Sequence, residues 1–225
     1  MVMERTRQVE RISAVSLVDQ VADRLVHGIA SGRIALGERL IEQDLAEDLG
    51  ISRIPLREAM SMLETQGILV AEPRRGRRVA EFGIAQIRHV CESRLALERF
   101  AVQQAAITFR REPARLLPVD AVLRDMKRDL AAGADPLRVN QNDVNFHTEI
   151  YAATGNSYLQ MLWEALARHV VIVFALETFH RYEPEKNFEQ HQHLRELLVS
   201  GAPEALDAEI LAHIMSYGGA LPASS

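Results

Sequence analysis

Lysine is almost absent from this chain. Lys127 and Lys186 are the only two among 26 basic residues, so its cationic chemistry is that of arginine, a planar fork suited to bidentate partners. Basic excess is absent too: 31 acidic residues give a formal net charge of −5. That excludes a protein that coats nucleic acid by bulk positive charge, and any DNA binding must come from a local patch. Cysteine is reduced to Cys91, which excludes an internal disulfide framework and fits a reducing cytoplasm. No secretory signal is visible. The longest unbroken apolar run, Val170 to Leu176, falls far short of the roughly 20 residues that span a bilayer, so the expected location is cytoplasmic with no membrane partner. No internal repeat occurs, and low complexity is confined to the tail 218–225. A length of 225 residues allows one large domain or two modest ones.

What the chain does contain begins with Gly50-Ile51-Ser52-Arg53-Ile54-Pro55-Leu56-Arg57-Glu58-Ala59-Met60. Gly50 can take the positive φ that ends one helix, and Ser52 can cap the next. Pro55 falls in the first turn, where its missing N–H is not needed. Leu56, Ala59, Met60 and Leu63 then form an apolar stripe, while Arg53, Arg57 and Ser61 recur on another face. An arginine-faced helix entered by a tight turn suits a major groove, where arginine reads guanine edges or grips phosphate. The plainer alternative is a surface helix with solvated arginines.

Around this stretch the pattern is consistent. Residues 1–12 are polar and charged. Ser16 and Asp19 resemble a capping box, after which Leu17, Val21, Leu25 and Ile29 line one face as far as Gly32. Residues 40–49 read as a second helix. Ile68–Ala71 and Arg78–Ala80 flank a tip holding Gly76 and the arginines Arg74, Arg75, Arg77 and Arg78, which reads as a two-stranded hairpin. Three helices and a basic hairpin make a winged helix-turn-helix over residues 1–80, the wing lying along phosphate or entering a minor groove. Residues 50–80 carry six arginines against three acids, whereas residues 1–80 as a whole balance at twelve and twelve. The positive charge is therefore concentrated on the third helix and the wing.

Residues 81–225 give almost entirely helical signals, near 83–110, 118–132, 136–153, 156–180, 184–200 and 203–217. Pro113, Pro118, Gly133, Pro136, Gly155, Pro184, Gly201 and Pro203 mark the breaks. Six such helices can form an all-α bundle with a central cavity. Asp143 and His147, four apart, share a helix face and can share a cation. His213 faces the core side of the last helix. In the helix before it His191 lies nearer the apolar face than His193. A single inward histidine is ordinarily a hydrogen-bonded core residue; three helices each sending such groups inward is a stronger signal. Arg94 lies on an apolar stripe, where either Glu98 neutralises it or an anionic ligand does. Asn156 reads as a helix N-cap, with a ligand contact as the second reading.

The run LGERLIEQDLAEDLGISRIPLREAMSMLETQGIL and the arginine-rich hairpin resemble the winged-helix domain of the GntR family of bacterial transcription regulators. Gly37, Leu40, Leu45-Ala46, Leu49-Gly50, Ser52-Arg53, Pro55, Arg57-Glu58-Ala59, Leu63, Gly67 and Gly76 fall at the family's spacing. The second half resembles the FCD effector domain of the FadR branch through Arg94-Leu95-Ala96-Leu97-Glu98, Asp143-Val144-Asn145-Phe146-His147, Gly155-Asn156, His191 and His213-Ile214. Six helices resemble the shorter, VanR-like subgroup. Where some members carry a DNA-contacting arginine in the second helix, this chain has Gln43.

The resemblance implies a mainly α, homodimeric, metabolite-responsive regulator, usually a repressor, acting on an inverted-repeat operator in double-stranded DNA. It implies DNA contacts from Ser52, Arg53, Arg57, Arg74, Arg75, Arg77 and Arg78. Asp143, His147, His191 and His213 would hold a divalent ion (zinc, nickel, manganese or iron), the family's 22-residue separation selecting His191. A small carboxylate effector would meet Arg94 and Asn156. Two alternatives stand beside it: a regulator whose metal is structural or is itself the signal, and a metal-dependent enzyme with a DNA-binding appendage, which lacks an evident general base.

Overall fold

The computed structural model describes residues 16–73, 75–178 and 183–218; the polar segment 1–12 and the end of the C-terminal tail lie outside them. The chain begins with α1 (Leu17–Ala30). Ser16 accepts a hydrogen bond from the Asp19 backbone N–H at 3.1 Å, as the sequence predicts, and its hydroxyl donates to the Asp19 carboxylate at 2.7 Å. β1 (Arg39–Leu40), α2 (Glu42–Leu49), α3 (Arg53–Thr65), β2 (Leu69–Glu72) and β3 (Gly76–Val79) follow.

Three expectations are corrected here. The second helix starts at Glu42 rather than residue 40, because Leu40 belongs to a strand paired with Arg77. The hairpin is accordingly a three-stranded antiparallel sheet in the order β1-β3-β2. Gly37, at φ 74°, turns the chain so that Val79 donates its N–H to Glu38 and accepts one from Gly37. Leu40 is buried from the strand as well as it would be from a helix, so apolar spacing alone does not distinguish the two. Gly50, at φ 64°, closes α2 in the left-handed conformation, as predicted. Ser52 occupies the N-cap position of α3 in extended conformation, but its side chain makes no capping bond. The faces of α3 divide as expected: Leu56, Ala59, Met60 and Leu63 are fully buried among Val21, Leu25 and Ile29 of α1 and the sheet residues Leu69 and Val79.

The second half is helical throughout its described residues: α4 (Ile84–Arg111), a 3-10 turn (Pro113–Leu116), α5 (Leu117–Ala131), α6 (Pro136–Ala153), α7 (Ser157–Thr178), α8 (Pro184–Ser200) and α9 (Pro203–Gly218). The long α4 packs against α6, α7, α8 and α9 and serves as the spine of the bundle. Within α7 the stretch Ser157–Leu176 is long and apolar enough, by length and composition, to cross a membrane, at a mean hydropathy of 1.5. It reaches that length because only Gln160, Glu164 and the pair Arg168-His169 interrupt an otherwise apolar sequence after Ser157. In this fold α7 is a packing helix, with Trp163 and Val170 to Ala175 buried against its neighbours. Its other side contacts α1, so the two halves meet there.

Candidate metal centre and nucleic-acid interface

Helical spacing accounts for the first two members of a buried cluster. Asp143 and His147 project one turn apart from the inner face of α6, and both are fully buried. His191 on α8 and His213 on α9 arrive from across the bundle, also fully buried, and one ligand atom from each of the four lies within 4.8 Å of all the others. His193 is excluded from the group: it is exposed, 3.6 Å from Glu209.

The donor atoms are oriented as a cation site needs. Nδ1 of His191 donates to the Asn187 carbonyl at 2.7 Å, which turns Nε2 inward to within 3.2 Å of Oδ2 of Asp143. Nδ1 of His147 lies 2.5 Å from Oε2 of Glu98, the carboxylate–histidine arrangement that turns the other nitrogen toward a metal. That nitrogen is 3.1 Å from Nε2 of His213 and 3.9 Å from Oδ1 of Asp143. Ligands about 2.0–2.2 Å from a shared ion stand roughly 3 to 4.4 Å apart; the four donors here lie within 4.8 Å of one another, close enough that they could hold a divalent cation.

Charge around the cluster is ordered as well. Burial opposes ionisation of Asp143, but the Arg94 guanidinium, with His191 and His147, overcomes it and holds the carboxyl well below its usual range. Glu98 is lowered in the same way, burial being outweighed by Arg94 and His147. Burial lowers the pKa of both His147 and His213; Glu98 counteracts it at His147, and the neighbouring imidazoles reinforce it at His213. The lowering at those two positions favours the neutral imidazole, the form that binds metal.

Arg94 is almost fully buried and is bonded to both Glu98 and Asp143, at 3.1 Å to the latter. Of the two readings of Arg94 the structure shows the first: Glu98 neutralises it, and Asp143 of the cluster shares its guanidinium. Asn156 goes elsewhere. It is exposed, and its side-chain oxygen accepts the N–H groups of Tyr158 and Leu159, capping α7. Sequence reasoning missed the parts of Glu98 and Asn187 in orienting His147 and His191. Glu98 is four after Arg94 and Asn187 four before His191, so their helix faces were readable; their partners across the bundle were not. Trp163 and Tyr151, stacked with ring centroids 4.7 Å apart, wall the cluster beside His147 and had no distinguishing signal.

On the other half of the molecule, the arginines are restrained rather than free. Arg57 is exposed and reaches back to Glu42 at 2.6 Å, while Arg53 donates to Gln43 at 3.3 Å. Arg77 turns inward to Glu64 at 2.6 Å and Ser61 at 2.9 Å and lies 3.7 Å from Glu42, tying the wing to α3. Arg78 pairs with Glu72 at 3.2 Å. Arg75 is exposed at the β2–β3 turn, and Arg74 lies outside the described residues.

Residues 17–79 match the family described as bacterial regulatory proteins, gntR family, and residues 89–216 match the FCD domain. The chain belongs to the GntR family. Its similarity extends along nearly its whole length to a probable D-xylose utilization operon transcriptional repressor of Paenarthrobacter nicotinovorans, 28% identical over 96% of this chain and 92% of that protein. The gluconate operon transcriptional repressor of Bacillus subtilis (strain 168) is 32% identical over 69% of this chain and 62% of its own length. Among solved structures, E. coli McbR/YncC superposes with a TM-score of 0.76 at 27% identity, covering 92% of this chain and 97% of that one. This GntR-family protein is a transcription regulator with a winged helix-turn-helix and a helical FCD domain, and its relatives are regulators rather than enzymes.

Proposed function

We propose that this protein is a homodimeric, cytoplasmic repressor whose grip on an inverted-repeat DNA operator is set by a small carboxylate bound at a divalent metal in the FCD domain. The observation that carries it is the convergence of Asp143, His147, His191 and His213 on one buried point, with Arg94 bonded to its carboxylate. We place the division between DNA-binding and effector domains at residue 80. A divalent ion held by those four residues would supply Lewis-acid positions for a carboxylate oxygen. Around it the chain's own groups fix the imidazole orientation, keep Asp143 ionised and exclude water. A sugar acid or other small organic acid is the class of effector this site suits, since a divalent ion held by one carboxylate and three imidazoles keeps a net positive charge that a carboxylate oxygen would meet. One relative's name refers to a gluconate operon, and gluconate is a sugar acid. Asn156, which caps α7, has no part in the binding we propose.

Arg53 and Arg57 of α3 supply the base or phosphate contacts, Ser52 the phosphate contact at the helix start, and Arg74, Arg75, Arg77 and Arg78 those of the wing. Engagement of DNA exchanges the contacts of Arg57 with Glu42 and Arg53 with Gln43 for contacts with the nucleic acid. For the homodimer, Phe100 and Ile107 on α4 and Tyr158, Met161 and Leu162 on α7 form exposed apolar stripes on two helices that pack together. A second copy related by a two-fold axis would cover them. The six bundle helices among the described residues are the number expected of the VanR-like subgroup.

A thermal melt against a panel of sugar acids and short organic acids, with and without a chelator, tests the effector site. A specific acid at about 100 times its Kd raises stability by roughly 2.7 kcal/mol, and the chelator abolishes that rise. Stabilisation by metal alone, with no acid adding to it, would replace this reading with a structural or sensed metal.

A further inference from the structure

Arg168 on α7 joins the two halves of the molecule. Its Nε donates to Asp23 at 2.9 Å and one terminal nitrogen to Asp19 at 3.1 Å, both on α1; the other terminal nitrogen lies 3.3 Å from Sδ of Met62 on α3. The guanidinium is nearly buried, with 12% of the side chain exposed, whereas Asp19 and Asp23 are 38% and 50% exposed. The next residue, His169, donates Nδ1 to the Ala165 carbonyl of its own helix at 3.1 Å; its ring lies beside the backbone of Gln66, the residue that closes α3, and faces Phe82 at 6.3 Å. Two successive residues of one bundle helix therefore hold both the scaffold helix and the arginine-bearing helix of the DNA-binding half.

The same helix touches the buried cluster. Trp163, five residues before Arg168 and about 7.5 Å away along the axis, lies 6.1 Å from the His147 ring and donates its indole N–H to Thr148 at 2.8 Å. Arg94, which holds Asp143, sits 5.9 Å from the same indole. Trp163 and Thr148 also line a cleft of about 770 Å³ that opens between α1 and the α6–α7 pair, with Asp19, Asp23 and Arg168 on its rim. One wall of the cluster is thus one wall of the interdomain cleft, and a rotation or slide of α7 that accommodates the cluster also moves the guanidinium at the rim.

We infer that Arg168 is a positioning residue that latches α1 and α3 onto α7, and that α7 carries the state of the buried cluster through Trp163 to this latch. The latch is geometric and stands on its own contacts; its control by the cluster rests on the metal reading above. Occupancy of the cluster changes how firmly the winged helix is docked, hence how freely two recognition helices of a dimer adjust to operator spacing.

Hydrogen exchange on the full chain, with and without Zn²⁺, tests this, and emission from Trp163, the single tryptophan, reports Zn²⁺ binding. In the unsubstituted protein, amides of residues 17–30 and 60–68 should change their exchange rate when Zn²⁺ is added. In Arg168→Gln they should exchange about tenfold faster and no longer respond to Zn²⁺, and Zn²⁺ affinity should shift by the same factor by which Zn²⁺ alters their exchange in the unsubstituted protein. Asp23→Asn, a milder change on a half-exposed helix face, should loosen the same segments without unfolding the bundle. Unaltered exchange in both variants overturns the latch. Faster exchange that still responds fully to Zn²⁺ overturns transmission through Arg168. No change in Trp163 emission and no Zn²⁺ binding by calorimetry overturns the metal reading and the transmission with it, while the exchange of the metal-free variants still decides the latch.

Discussion

Glu98 illustrates why residues that never touch a ligand can govern a site. Its carboxylate sits between the Arg94 guanidinium and Nδ1 of His147, so it both fixes an imidazole and balances a buried charge. Glu98→Gln should weaken divalent-metal affinity by about 10- to 100-fold, read by competition with a chelating dye, with the helical circular-dichroism signal retained. The buried histidines also predict a pH dependence. His147 and His213 have lowered pKa values in the fold, whereas unfolded imidazoles titrate near about 6.5. Below that pH the unfolded chain binds more protons than the folded one, so stability falls with acidification and is flat above about pH 7.5. Asp143 and Glu98 are depressed as well; their contribution is present above the unfolded value of about 4 and is lost as pH falls through their folded values. Melts of the chelated protein from pH 8 to 5 should show a plateau and then a decline, and His213→Ala should reduce the slope of that decline.

Among the elements, the turn between α2 and α3 was the most legible, because its signals are local. A left-handed Gly50 and an extended Ser52 set the helix-turn-helix angle, and no heavy atom lies within 4 Å of a Cβ added at Gly50. Gly50→Ala should therefore cost about 1–2 kcal/mol through backbone strain alone, measurable by urea unfolding. On α3, Arg57→Ala should weaken specific operator binding by about 1–3 kcal/mol with little change in stability, since its Glu42 partner is a surface contact. Arg77→Ala should cost stability as well as binding, because Arg77 ties the wing to Glu64 and Ser61. The described ends of the bundle helices could be read to within a residue or two because proline, glycine and Asn156 mark them and apolar spacing fills the helices; the end expected at residue 180 lies outside the described residues. The two-residue β1 could not: a strand that short has no period, and only its pairing with β3 defines it.

At the scale of the whole molecule, the exposed stripes on α4 and α7 predict assembly. Met161→Glu, placing a charge on an α7 stripe residue that is 59% exposed, should leave the fold intact and shift the protein to monomer in sedimentation, with loss of cooperative operator binding. The amino-acid sequence by itself determined the two-part architecture, the arginine face of the third helix and the placing of Asp143 and His147 on one helix face, since each follows from spacings of a few residues. Tertiary structure decided what depends on distant partners. It brought His191 and His213 to Asp143 and left His193 outside. It bonded Arg94 to Glu98 and Asp143 together and turned Arg77 inward. It also set Arg168 against α1, 145 residues away in the chain at Asp23. Helical periodicity fixes which way a side chain faces along its own helix, but only the packing of helices against one another fixes what it meets.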